Sequence, residues 1–184
     1  MAALDWIGHI FEWIGSFIPR ILHIKSTHRG VMFIRDKAKE IGPGLHVYLP
    51  FWANPETYPV KRQTINLPAQ VLTTSDKKSV VIDVAVIYEV DDILKALVDT
   101  FNLEDTIRDT AQGAVKRVVI TETFDDLQRK QTLIDKLLTK KVRAFLRPYG
   151  IKVIKAFVIS YSQVKVFRLI QDQNDFKMTP PNAQ

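Results

Sequence analysis

The run Ser79–Val90, SVVIDVAVIYEV, constrains this chain more than any other stretch. In an extended conformation it places Val80, Ile82, Val84, Val86 and Tyr88 on one side, and Val81, Asp83, Ala85, Ile87 and Glu89 on the other. A strand this long, with one wholly apolar face and one mixed face, needs strand neighbours, full cover on the first face and partial cover on the second. The flanking sequence can supply the neighbours. Val31–Arg35, Leu45–Phe51, Thr57–Leu67 and Val71–Thr74 are rich in β-branched and aromatic residues, with Gly, Pro, Asn or Asp between them. Gly42-Pro43-Gly44 suits a type II turn, and Ser75-Asp76-Lys77-Lys78 suits a hairpin connection.

Cover for the apolar face comes next in the chain. Asp91 or Asp92 caps a short helix through about Thr100, and a longer helix follows from about Leu103 to Ile120 with Ile107, Ala111, Ala114/Val115 and Val118/Val119 inward. Thr123 and Asp126 form a capping box for a third helix, which carries Leu127, Leu133/Ile134, Leu137/Leu138, Val142 and Phe145/Leu146 until Pro148 and Gly150 stop it. Ile151–Tyr161 resumes strand character, and Ser162 is positioned to cap a last short helix through Leu169 and Ile170 before a polar tail. This order predicts an α+β domain with a mostly antiparallel sheet, not a βαβ alternation. The 184 residues, 46% apolar and 25% charged, suffice for one hydrophobic core.

The N-terminal part has a different texture. In residues 4–24, LDWIGHIFEWIGSFIPRILHI, apolar residues recur every three to four positions, and Asp5, His9, Glu12, Ser16, Arg20 and His23 fall on one narrow polar stripe. Asp5 and Glu12 disfavour a spanning helix, the acidic start disfavours a cleaved secretory signal, and Pro19 bends or divides the helix. The pattern predicts an amphipathic helix lying in a membrane interface or entering it as a shallow hairpin. Trp6, Ile7, Ile10, Phe11, Trp13, Ile14, Phe17 and Ile18 would sit in lipid. Six bases and one acid between Arg20 and Lys39 follow directly, and Arg20, Lys25, Arg29 and Lys37 are the candidate contacts to an anionic headgroup layer. The alternative is a soluble protein–protein interaction module whose aromatic helix packs on a sister subunit or another protein. On these patterns the chain divides into an anchoring segment at 1–27, a domain at 28–161, and a short helix with a tail at 162–184.

Catalytic patterns are missing. Cysteine is absent, which excludes thiolate chemistry and disulfides. His9, His23, His28 and His46 form no close metal-binding spacing, and Asp125/Asp126 and Glu104/Asp105 sit where helix N-termini favour acids. No serine lies in a nucleophile elbow. The chain is therefore read as non-enzymatic, with no catalytic, cofactor or metal residues. The bases on the helical part are interleaved with acids and lack a recognition-helix or stacking-aromatic motif, so specific nucleic-acid binding is not expected.

HRGVMFIRDKAKEIGPGLHVYLPFW, YPVKRQTINLPAQVLTTSDKKSVVIDVAVIYEVDD and, after the helices, LRPYGIKVIKAFVIS occur here in an order that resembles the SPFH or band 7 superfamily of stomatins and prohibitins, over about residues 28–165. The resemblance implies a membrane-associated, homo-oligomeric scaffold on the cytoplasmic face, without catalytic residues. Such a scaffold organises a membrane patch or encloses a partner such as a membrane protease. It aligns residues 4–24 with the family's anchor, and Leu49-Pro50-Phe51-Trp52 with a loop that approaches the bilayer in some relatives, which adds Trp52 to the membrane contacts. The family's long coiled-coil arm has no counterpart here, so a small ring is expected rather than a large cage.

Overall fold

The computed structural model describes residues 18–35 and 37–164. Trp6, Ile7, Ile10, Phe11, Trp13, Ile14 and Phe17 lie outside the described residues, as does the expected final helix beyond Val164. The elements are β1 (Arg20–Ile24), β2 (His28–Ile34), β3 (Lys37–Ile41), β4 (Gly44–Tyr48), β5 (Ala53–Pro59), β6 (Gln63–Asn66), β7 (Gln70–Thr73), β8 (Ser79–Val90), α1 (Ile93–Val98), α2 (Leu103–Val119), α3 (Phe124–Arg129), α4 (Gln131–Leu146) and, after a 3-10 turn at Arg147–Tyr149, β9 (Ile151–Gln163). This is an α+β fold in which every strand pairing is antiparallel.

β8 is the centre of the main sheet. β6 pairs with its C-terminal half and β7 with its N-terminal half, while β9 runs along its opposite edge from Val90↔Ile151 to Val80↔Gln163. Val80, Ile82, Val84, Val86 and Tyr88 are all buried, as the alternation requires, and on the mixed face only Ala85 is fully covered. The inward residues of α2 (Ile107, Ala111, Ala114, Val115, Val118) and α4 (Ile134, Leu138, Val142, Leu146) join them in one core. Burial at about 25 cal/mol per Å² of apolar surface makes this contact the main stabilising term.

β9 sits at the sheet edge, and helix α4 seals it. Asp135, Thr139 and Arg143, spaced four apart, form one stripe along α4. Asp135 Oδ1 accepts from Val158 N (3.1 Å), Thr139 Oγ1 accepts from Ala156 N (3.0 Å), and Arg143 Nε donates to Val153 O (3.1 Å). Strand-edge groups that would otherwise be open to another chain are thereby satisfied by side chains.

A second sheet, β3-β2-β5, joins the same core through Val31, with Phe33, Ala38 and Tyr58 packed against it. A third, two-stranded ribbon pairs β1 with β4. Gly42-Pro43 carries the chain from β3 in one sheet to β4 in the other, with Gly44 at φ 133° and His46 Nε2 hydrogen-bonded to Gly42 O at 2.8 Å.

Four sequence expectations are corrected. Arg20–Ile24, read as the end of the amphipathic helix, is strand β1: Pro19 precedes it, and its residues alternate against β4. Thr57–Leu67 is not one strand but β5 and β6, separated at 60–62. The helix expected from Thr123 to Leu146 divides at Lys130, whose backbone (φ −111°, ψ 39°) leaves the helical region and lets Leu127 and Ile134 both turn inward. Ser162, read as a helix cap, belongs to β9 and pairs with Val81.

Candidate functional site

A strand ribbon packed on a core normally turns apolar residues in and polar residues out. The β1–β4 ribbon does not. Its inner face contributes Ile24, which is buried, and Leu22, which is half-buried. Its outer face pairs Ile21 with Val47 and His23 with Leu45, and Ile21, Leu45 and Val47 are 72%, 72% and 67% exposed. Leu49 continues the alternation into a tight turn closed by the N–H groups of Trp52 and Ala53, both donating to Leu49 O at 3.0 Å. That turn presents Phe51 (60% exposed) and Trp52 (49%), with ring centroids 6.2 Å apart. With Ile18 at 58%, the surface amounts to about four fully exposed large side chains, on the order of 600 Å² at ~150 Å² each. That is the upper end of the largest apolar patch on a typical monomer, about 300–600 Å², and such patches are often contact sites.

The bases do not gather as their linear spacing suggested. Arg20 lies opposite Tyr48, at the ribbon end that leads into the Leu49–Ala53 turn, and Lys37 lies opposite Ile34, whose other neighbour is Ala53. Both are exposed and flank the apolar surface. Lys25 and Arg29 are each five residues away along an extended strand, roughly 17 Å, at the far end of the ribbon and of β2. Arg29 also forms an ion pair with Glu40 at 2.6 Å. Arg35, counted among the six bases but not named as a headgroup contact, lies near the apolar surface: its guanidinium stands 4.8 Å from the centre of the Trp52 ring. The signal for it was available, since Arg35 is the last residue of the predicted strand Val31–Arg35.

Among the described histidines, His28 Nδ1 bonds Thr27 Oγ1 at 2.8 Å, His46 holds the Gly42 carbonyl, and His23 is exposed on the ribbon. Among the described residues no group of three His, Asp or Glu could hold a metal ion, and no helix is long and apolar enough to cross a membrane. Asp125 and Asp126 act at the start of α3, where Thr123 Oγ1 accepts from Asp126 N (3.1 Å) and donates to Asp126 Oδ2 (2.8 Å). The strongest displacement of a carboxyl is at Asp76. Its hydrogen bond from Thr74, backed by Lys78 and the Phe124 amide, lowers it from the ordinary 3.8 to about 2.

The described residues form an α+β body that presents one large apolar face. Residues 22–172 match the SPFH domain / Band 7 family, and the chain belongs to that family. Among curated proteins it is similar to an uncharacterized protein of Archaeoglobus fulgidus (24% identical over 149 residues, 80% of this chain and 60% of the relative) and to an uncharacterized protein of Methanocaldococcus jannaschii (24% over 156 residues, 83% and 78%). It is also similar to a stomatin homolog of Pyrococcus horikoshii (24% over 131 residues, 71% and 49%). The chain thus spans 60% of the Archaeoglobus protein's length and about half of the Pyrococcus protein's.

Proposed function

We propose that this chain is a membrane-surface scaffold. The outer face of the β1–β4 ribbon and the Leu49–Trp52 turn seat in the interface of an anionic bilayer on its cytoplasmic face, together with the amphipathic residues Trp6 to Ile18. Copies of the domain then assemble side by side to organise a membrane patch or to enclose a membrane-protein partner such as a protease. The observation that carries this reading is the cross-strand set Ile21, Leu45 and Val47, left outward on a ribbon whose opposite face already buries Ile24. Arg20 and Lys37 beside it supply the charge that would favour anionic lipid.

Flotation of the full chain with phosphatidylglycerol and phosphatidylcholine vesicles tests it, using Leu45→Ser/Val47→Ser as the variant. Burying a large aliphatic side chain is worth about 1.5–3 kcal/mol, and these two are about two-thirds exposed. The double variant should therefore lose about 2–4 kcal/mol of partitioning, at least a thirtyfold drop. Equal flotation of variant and parent would remove the ribbon from the interface. Unchanged flotation accompanied by a fall in particle mass would favour the soluble-module alternative, in which this face meets another subunit.

A further inference from the structure

At the ribbon end nearest the Leu49–Ala53 turn, an open groove of about 450 Å³ is lined by Pro19, Met32, Ile34, Val47, Leu49 and Trp52, with Tyr48 and Ala53 completing it. None of the lining side chains carries a carboxylate. Three exposed bases each neighbour a lining residue. Arg35 stacks on Trp52, Lys37 is in register with Ile34, and Arg20 is in register with Tyr48. With Asp36, the intervening acid in sequence, these four residues carry three positive charges and one negative, a net of +2. Arg35 takes φ 53° at the tip of the β2–β3 hairpin, a left-handed backbone uncommon for a long side chain, and this brings its guanidinium over the indole.

We propose that this groove takes one acyl chain of an anionic phospholipid and that Arg35, with Arg20 and Lys37 beside it, holds the headgroup phosphate. A cavity of ~150 Å³ accommodates benzene, so the groove has room for a substantial length of hydrocarbon, and it lies in the size range of ordinary ligand sites. Its two-part character decides the occupant. An apolar trough with bases neighbouring its lining residues complements a molecule that is greasy along its length and negative at its head. Guanidinium and ammonium groups both pair well with phosphate, and the guanidinium does so through two parallel hydrogen bonds. The inference rests on the membrane-surface reading and specifies its partner: the domain would hold individual lipids stoichiometrically in addition to adhering to a bilayer.

The test uses the full chain carrying Trp6→Phe and Trp13→Phe, which leaves Trp52 as the sole tryptophan of the three. Short-chain phosphatidylglycerol and phosphatidylcholine are titrated below their micelle concentrations, with affinities taken from calorimetry and Trp52 emission recorded in parallel. The expected result is saturable binding of one phosphatidylglycerol per chain, quenching of Trp52 by a brominated acyl chain, and clearly weaker binding of phosphatidylcholine. Arg20→Gln and Lys37→Gln, both at exposed positions, should each weaken phosphatidylglycerol about fivefold, and Arg35→Gln at least as much. Equal affinity for the two lipids, non-saturable uptake, or no quenching would overturn the proposal. So would binding that appears only after residues 1–17 are removed, because that segment would then be the occupant. Vesicle flotation without monomer binding sinks the groove and leaves the surface reading standing; monomer binding without flotation supports the groove and sinks the surface reading.

Discussion

Thr139→Val isolates the seal that α4 places on the edge of β9. Thr139 Oγ1 accepts the Ala156 N–H at 3.0 Å and lies 2.7 Å from Asp135 O and 3.1 Å from Ala156 O. Valine has nearly the shape of threonine, so the substitution leaves packing intact and removes only the hydroxyl. Ala156 is fully buried, and water cannot easily replace the lost partner. An orphaned buried amide costs about 1–3 kcal/mol, with little returned by the added methyl. We expect a loss of about 2 kcal/mol, which for a chain of this length is a fall of about 4–8 °C in Tm. Urea unfolding in mild detergent should show a lower midpoint at unchanged slope, the signature of altered stability rather than altered compactness. Amide exchange at Ala156 should accelerate, and Thr139→Ser should restore most of the loss because it keeps the oxygen. A Thr139→Val protein within about 0.5 kcal/mol of the parent, the scatter expected of surface changes, would refute the reasoning: the edge of β9 would then not depend on α4 for its hydrogen bonds.

Two further perturbations address other joints of the fold. Gly150 sits at φ 72°, its carbonyl accepts the amides of Asp91 (2.9 Å) and Asp92 (3.0 Å), and an added Cβ would lie 2.4 Å from Asp92 O; Gly150→Ala should therefore cost about 3 kcal/mol by urea unfolding, from backbone strain plus the clash. Asp76 Oδ1 accepts from Thr74 Oγ1 (2.5 Å) and from the first amide of α3, Phe124 N (3.1 Å). Because its carboxyl is held at about 2 instead of 3.8, its contribution is full above the ordinary value and is lost as pH falls through about 2. Melting temperatures measured from pH 5 down to pH 2 should fall less steeply in Asp76→Asn than in the parent, and parallel profiles would count against the assignment.

The elements with long, regular periodicity were legible from the residues alone. Ser79–Val90 emerges with the boundaries its alternation gave, and Asp92 and Thr123 cap α1 and α3. Short segments were not legible. Arg20–Ile24 fits both a helical and an extended repeat over five residues, and only β4, twenty positions further on, decides between them. β3, KAKEI, offers two apolar residues among three charges and went unseen; its strand character comes from pairing with β2, which is a tertiary effect. The candidate site was half visible. Trp52 and its loop could be singled out, yet nothing local distinguishes the outward Leu45 and Val47 from ordinary core residues, because exposure depends on what does not cover them. Linear charge was misleading for a related reason. Six bases within twenty residues look like one patch, but strands β1 and β2, the turn between them and the β2–β3 hairpin carry Lys25 and Arg29 to one end and Arg35 and Lys37 to the other.

The β1–β4 ribbon has only two strands and five cross-strand pairs, a size that is marginal on its own in water. On that ground it should open at a lower free energy than the β8 sheet. Whatever settles on Ile21, Leu45 and Val47 therefore closes a loosely latched flap as it binds, and part of its binding energy is spent on that closure. Exchange of the β1 and β4 amides should then slow many-fold on occupancy while those of β8 stay as they were, which would make this flap the domain's own reporter of contact.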